Sequence, residues 1–372
     1  MPQPRFTPLV AALPSTIPFV GPEAQERNRG RAFRTRLGAN ESVFGPSPRA
    51  IAAMSKAAAE SWMYCDPDNH DLRHAIAASL NVKPENIVIG EGIDSLFGYT
   101  VRMVTEPGDA VVTSLGAYPT FNFHVAGYGG RLVTVPYVND REDPASLLAA
   151  AREHAPKLVY FANPDNPMGS WWPAANVQGL IDGLPGETVL VLDEAYSEFA
   201  PPGTLPPIDV TNPNVIRYRT FSKAYGMAGA RIAYAIGEAS VIKSFDKIRN
   251  HFSVNRIAQA GALAALADRA YLKDVIAKVA VARQTIGQIA RDNGLTPLPS
   301  ATNFVAIDCG QDGVYALKVL QALIARDVFV RMPGVAPLNR CIRVSAGTPD
   351  DLAIFAAELP HALAQAQAQA QG

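Results

Sequence analysis

The stretch Arg219-Thr220-Phe221-Ser222-Lys223-Ala224-Tyr225-Gly226-Met227-Ala228-Gly229-Ala230-Arg231 joins two short apolar runs, Val215–Thr220 and Ile232–Ile236. Runs of that length, bounded by turn residues, read as buried strands of a largely parallel sheet. Lys223 is one of only nine lysines and sits just past a strand end, among small hydroxyl and glycine residues. A lysine there is either an ordinary loop residue or a buried amine with a lowered pKa, the form that Schiff-base chemistry needs. Two neighbouring segments favour the second reading. Thr188–Tyr196 is an apolar strand closing on Asp193-Glu194, and Leu158–Gly169 is another closing on Asn163-Pro164-Asp165-Asn166-Pro167-Met168-Gly169. Each also has a plainer account, because an acid after a strand often caps the next helix and Asn, Pro and Gly are ordinary turn residues. In a parallel sheet, however, Asn166, Asp193 and Lys223 share one carboxyl edge, where α/β proteins bind their ligands. A carboxylate on that edge suits a protonated pyridine nitrogen, whose charge makes the ring a better electron sink.

Outward from this core the chain alternates strand and helix patterns. Ser47–Ser61 is predicted helical, with Ser47 as N-cap and Pro48 in the first turn. Asp71–Leu80, Asp94–Val104 and Pro119–Tyr128 are further helices, with strands at Ile87–Ile89, Asp109–Ser114 and Leu132–Val135. Helical segments Ala145–His154 and Ala174–Asp182 complete a βαβ signature. Beyond about residue 240 come two long helices, Ser253–Asp268 and Leu272–Asn293, then a strand, Asn303–Asp308. Ala316–Arg326, Cys341–Ser345 and Asp350–Ala368 continue in α+β style, while residues 1–36 read as an irregular Pro-rich lead with an Arg-rich stretch from Glu26 to Arg36. The expected fold is α/β. A large domain over 38–245 carries a mostly parallel central sheet, and 1–37 with 246–372 form an arm and a small α+β domain.

Composition narrows the function classes. At 372 residues and 48% hydrophobic, the chain has ample material for a core, which excludes disorder. Lys+Arg number 33 against 34 Asp+Glu, so there is no basic footprint and no nucleic-acid partner is expected. The best apolar run, Leu96–Val104, is broken by Arg102 and falls far short of a membrane span of about 20 residues. Cys65, Cys309 and Cys341 are too scattered for a disulfide framework or a zinc site, so no metal is expected. A cytoplasmic enzyme is the resulting expectation. Charged residues make up 18%, below the roughly 25% of soluble domains, as surface buried between subunits would explain.

Four more segments extend the pattern: Leu37-Gly38-Ala39-Asn40-Glu41, Gly45-Pro46-Ser47-Pro48, Tyr64-Cys65-Asp66-Pro67-Asp68 ahead of Leu72-Arg73, and Ile342-Arg343-Val344-Ser345-Ala346-Gly347-Thr348. In order, from about residue 37 to 355, the whole set resembles the pyridoxal-phosphate (PLP) aminotransferases of the aspartate-aminotransferase fold, fold type I. More narrowly it resembles the histidinol-phosphate aminotransferase branch. The resemblance implies PLP as cofactor, with Lys223 bound to it as a Schiff base and later moving the substrate's α-proton. It implies Asp193 as partner of the ring nitrogen, Tyr196 and Asn166 on the ring 3-oxygen, and Tyr118 stacked on the ring. For the cofactor phosphate it implies Gly92, Ile93 and Asp94 as an amide cradle with Ser95 beside it, and Thr220, Ser222 and Arg231 as side-chain ligands. Tyr64 resembles a tyrosine that reaches the phosphate of the neighbouring subunit, which implies a homodimer with shared active sites.

On the substrate side, Arg343 matches the family's carboxylate clamp, although a guanidinium on an apolar strand also suits a structural salt bridge. Asn40 and Glu41 match a loop near the substrate side chain, and Arg331 lies near the position that helps hold a distal phosphate. Three departures from the family pattern sit on this side: Asn40-Glu41-Ser42-Val43-Phe44 for Asn-Glu-Asn-Pro, Asn166-Pro167-Met168-Gly169 for Asn-Pro-Thr-Gly, and Ala233 for a glycine. The implied reaction is a ping-pong transfer of an amino group from an amino acid, or an amino-alcohol phosphate such as histidinol phosphate, to a 2-oxo acid. A PLP decarboxylase of the threonine-phosphate type is the alternative within the same chemistry. A non-catalytic PLP-domain protein is the alternative outside it, and the complete set of cofactor positions argues against that.

Overall fold

Strand β1 (Thr35–Arg36) precedes seven strands of a single sheet: β2 (Ile87–Gly90), β3 (Ala110–Ser114), β4 (Arg131–Val135), β5 (Leu158–Ala162), β6 (Val189–Asp193), β7 (Val215–Thr220) and β8 (Ala233–Ile236). They belong to a computed structural model that describes residues 4–15 and 19–371. The order across the sheet is β2-β8-β7-β6-β5-β3-β4. Only β8 is antiparallel to its neighbours; the pairs β7–β6, β6–β5, β5–β3 and β3–β4 are parallel. Every residue of β3, β5 and β8 is buried, as strands covered on both faces require.

The helices covering this sheet follow α1 (Pro8–Ala12) and α2 (Pro22–Arg29) in the chain: α3 (Pro48–Ala58), α4 (His70–Leu80), α5 (Ile93–Val104), α6 (Pro119–Gly127), α7 (Pro144–His154) and α8 (Ala174–Gly183). Phe97 of α5 and Phe121 of α6 pack with Tyr160 and Tyr218 on one face. Leu147 of α7 and Leu180 of α8 pack with Val159, Phe161, Leu190 and Leu192 on the other. The period-2 alternation of β5 thus sends Tyr160 to one layer and its neighbours to the opposite one. The chain continues with α9 (Ala239–Ser244), α10 (Arg256–Ala267) and the long α11 (Arg269–Asp292). Next come β9 (Thr296–Pro297), β10 (Phe304–Asp308), α12 (Gly313–Ala325), β11 (Val328–Phe329), β12 (Cys341–Ser345) and α13 (Pro349–Gln371). Strands β12-β10-β9 form an antiparallel sheet, and β1 pairs with β11 in parallel.

The α/β architecture with a mostly parallel sheet agrees with the sequence reading, and most helix and strand bounds agree to within a few residues. The lead agrees only in part, because α1 and α2 interrupt the irregular segment expected over 1–36, of which residues 1–3 and 16–18 lie outside the described residues. Each starts with Pro in its first turn, after Thr7 and Gly21, which is a helix-start signal. Arginines of the Arg-rich stretch pair within this chain, with α2 and with later elements. Arg29 and Arg31 pair with Asp327, Arg34 with Glu358, and Arg36 with Glu23 and Glu26.

Candidate active site

The carboxyl ends of β5, β6 and β7 are adjacent, and they open into a cavity of about 340 Å³. Glu41, Ile93, Asp94, Tyr118, Asn166, Asp193, Tyr196, Thr220, Ser222, Lys223 and Arg231 all line it. Lys223 follows β7 by three residues, and its Nζ donates to the Asn40 carbonyl at 3.1 Å. Burial and the nearby Arg343 guanidinium bring its pKa down to about 8, against the opposing charges of Asp94 and Glu41. Asp193 ends β6: its Oδ2 accepts from the Tyr160 hydroxyl at 2.8 Å and its Oδ1 from the Ala195 amide at 2.9 Å. Burial pushes this carboxyl up to about 6 despite those donors. The Tyr196 hydroxyl accepts from Asn40 Nδ2 at 3.1 Å, and its ring lies edge-on to Phe304.

On the side of Arg231, α5 begins at Ile93 after Gly92, and no side chain caps its first turn. Its free N–H groups and dipole favour an anion there. Gly92 has φ +99°, which favours glycine, and a Cβ at that position would also displace the Arg231 guanidinium. The Ser222 amide donates to Thr220 Oγ1, and Thr220 Oγ1 donates to Ser222 Oγ, at 3.0 Å each, which places the two hydroxyls together. Asp94 accepts from the Tyr118 hydroxyl at 3.1 Å and lies 3.9 Å from Arg231. Ser95 is on the same first turn but does not line the cavity.

Opposite, Arg343 of β12 donates from Nη1 to Asn166 Oδ1 at 2.5 Å and lies over the Phe304 ring. Its backbone pairs with Arg331 across an isolated bridge, so the two guanidinium side chains leave the strands on the same side. Burial holds Arg343 down at about 10, with Arg331 adding to the shift. Arg331 is held between the rings of Phe19 and Phe329 and donates to the Val20 carbonyl at 2.8 Å. Phe19 also stacks on Tyr118, with centroids 6.0 Å apart. Residues 19 and 20 of the N-terminal lead therefore bridge Tyr118 and Arg331.

Some expected residues stand elsewhere. Asn40, 3% exposed, is a brace behind the wall, joining Lys223, Tyr196 and Ser345. Tyr64 is 81% exposed and rests against Phe252, away from this chain's cavity. Glu194, the second acid of β6, turns from the site to accept from Arg217 and Arg219. Two residues with roles here were missed by the sequence reading. Asn303 donates to the carbonyls of Asn40 and Glu41, at 3.0 and 3.2 Å. Tyr160 reaches Asp193 from an apolar strand whose hydroxyl only a structure locates.

The residues present fit a group with three features: a carbonyl for Lys223, a basic ring nitrogen for Asp193, and a phosphate for the α5 terminus with Thr220, Ser222 and Arg231. The observation behind this is that Asp193, buried to 6% exposure, has no ion-pair partner among the described residues.

Comparison with known proteins agrees with the geometry. The family profile described as aminotransferase class I and II matches residues 34–359. A histidinol-phosphate aminotransferase from Sinorhizobium meliloti, solved in complex with pyridoxal-5'-phosphate, is 57% identical and superposes with a TM-score of 0.94 over 97% of this chain and 98% of that one. Histidinol-phosphate aminotransferase 1 of Mesorhizobium japonicum is 35% identical over 88% of this chain and 90% of its own length. A Moorella thermoacetica histidinol-phosphate aminotransferase is 31% identical over 93% and 89%. The aspartate aminotransferase of Thermus thermophilus with maleate, 23% identical over 97% of this chain and 100% of that one, shares the fold at a TM-score of 0.80. The chain belongs to the class I and II aminotransferases.

Proposed function

We propose that this transaminase uses PLP and takes histidinol phosphate, or a close amino-alcohol phosphate, as amino donor and a 2-oxo acid as acceptor. The observation that carries the donor is the pair Arg331 and Arg343, in register and facing one side, with Arg343 bonded to the cavity residue Asn166. Two guanidinium groups there suit one anion near the reacting carbon and another group farther out. The relatives' names point the same way.

When bound, PLP supplies a carbonyl for the donor amine and a ring that draws electron density from the α-carbon. Lys223 holds the cofactor carbonyl. Its Nζ would also be placed to take the donor's α-proton, for which a pKa of about 8 leaves a useful fraction of free amine near neutrality. Asp193 holds the ring nitrogen, while Tyr196 and Asn166 face the ring 3-oxygen. Tyr118 covers one ring face. The amides of Gly92, Ile93 and Asp94 hold the phosphate together with Thr220, Ser222 and Arg231. Arg343 binds the acceptor's carboxylate and Arg331 the distal anion, with Asn40 and Glu41 shaping the side-chain end.

Tyr64 completes the phosphate site of a second copy, which makes the working unit a homodimer. Residues 38–245 form the cofactor-bearing domain, and 1–37 with 246–372 the smaller one. The support is the separate β12-β10-β9 sheet, although α10 packs across that boundary onto Phe221 and Tyr234. We place the protein in the cytoplasm: its three cysteines are free and buried, and among the described residues no helix is long and apolar enough to cross a membrane.

The test is a stopped-flow screen of amino donors on the PLP-loaded protein. Histidinol phosphate should discharge the cofactor absorbance fastest, and an added 2-oxo acid should restore it. An aromatic amino acid reacting faster would overturn the donor assignment, and carbon dioxide release without an oxo product would favour the decarboxylase.

A further inference from the structure

Tyr160 is completely buried, and none of the roles above uses it. In the parallel register of β5 and β6, Tyr160 pairs with Val191 and Ala162 with Asp193, so Tyr160 lies one same-face step below the acid. From there its hydroxyl donates to Asp193 Oδ2 at 2.8 Å. The ring is fixed by stacking on Phe121 at 4.7 Å and by the edge of Phe97 at 5.7 Å. Phenylalanine would fill this aromatic layer equally well, and a hydroxyl buried there without an acceptor would be destabilising. The position is therefore explained by its partner.

We propose that Tyr160 is a positioning residue for the cofactor ring, holding Asp193 oriented and ionised for a protonated ring nitrogen. This rests on the PLP reading given above. The charges around Asp193 are closely balanced. Asp94 from α5 repels its anion and Lys223 attracts it, while burial and the charge of Asp193 itself help to push the carboxyl of Glu142, on the β4–α7 connection, well above its ordinary range. Tyr218 of β7 and Tyr196 are close enough to feel its charge. Burial leaves the carboxyl near 6, so one O–H donor more or less decides whether it is charged at neutral pH. Tyr160 itself keeps its proton throughout, because burial first, and then Asp193 and Glu142, push its pKa well up. With Tyr160 on one oxygen and the Ala195 amide on the other, the carboxylate cannot swing away and still has lone pairs to spare.

The experiment measures PLP affinity of wild type, Y160F, D193N and the double variant by equilibrium dialysis from pH 5.5 to 8.5. In Y160F the loss of one donor raises the Asp193 pKa. The acid-side fall in affinity should therefore begin about one pH unit higher, with about two-fold weaker binding at pH 7, a loss approaching ten-fold at pH 5.5 and little change at pH 8.5. In the D193N background, adding Y160F should change affinity by less than about two-fold, because the group it acts through is gone. An unchanged pH profile in Y160F overturns the proposal. So does a loss equal at every pH, or one that persists in full beside D193N, since either marks a packing role. A wild-type protein that binds no PLP would instead sink the cofactor reading, and this inference with it.

Discussion

Arg343 shows how one side chain serves both structure and chemistry. Its Nη1 is taken by Asn166, yet its Nε is buried with no partner among the described residues. A guanidinium so placed is ready for a carboxylate, which offers two oxygens in a plane. R343K keeps the charge but loses the fork, so KM for the 2-oxo acid should rise about ten-fold or more while PLP affinity stays as in wild type. Steady-state kinetics beside cofactor dialysis would check this, and unchanged KM would remove Arg343 from the substrate. At this scale the sequence was informative where a residue ends a strand. Lys223, Asp193 and Asn166 stand out there because polar groups interrupt apolar runs at a ligand edge. Tyr160 did not, because within Leu158-Val159-Tyr160-Phe161-Ala162 an aromatic reads as core, and its acceptor lies on another strand. Asn303 was hidden for the same reason: its partners are more than 260 residues away.

Among the elements, β6 and α5 carry the most weight. The Asp193-Glu194 step uses strand alternation to send one acid to the cavity and the other to Arg217 and Arg219. Burial alone would raise Glu194, but the two guanidinium groups outweigh it and hold it below the ordinary carboxylate range. Its contribution to stability is thus present above about pH 4.5 and lost as pH falls through its lower folded value. E194Q leaves two buried cations without their anion and should destabilise by about 3–5 kcal/mol, read by denaturant unfolding at pH 7. A change under about 1 kcal/mol would show the cluster to be dispensable. For α5, G92A forces a side chain into a left-handed turn and against Arg231. PLP affinity should fall by at least about ten-fold, with a smaller loss of thermal stability in the cofactor-free protein. Wild-type affinity in G92A would mean that the phosphate binds elsewhere. The regular βαβ elements were legible because their apolar period is long and repeated. Strands β1 and β11 were not, since two residues carry no period, nor were α1 and α2, five and eight residues long, which open on a proline inside a Pro-rich lead.

At the scale of the molecule, the low charge content and the surface aromatics point the same way. Trp62 is 83% exposed, Tyr64 81% and Phe252 51%, and they lie close together in sequence or space. Large aromatics so exposed support the homodimer proposed above. Among the described residues the Tyr64 ring rests on Phe252 and its backbone carbonyl accepts from Arg256 at 2.8 Å, while its hydroxyl has no hydrogen-bond partner. If it serves the cavity of a second copy, each active site draws Lys223 from one subunit and Tyr64 from the other. Two defective variants should then repair each other. K223A should be inactive and Y64A impaired by about ten-fold or more, the latter through weaker phosphate binding. A purified hybrid dimer, made by co-expressing the two under different tags, has one site lacking both groups and one intact site. Two-fold symmetry makes those sites independent copies of the same interface, so the hybrid should recover about half the wild-type rate. A hybrid no more active than its parents would confine each site to a single chain, and Tyr64 would return to being an exposed aromatic with no task.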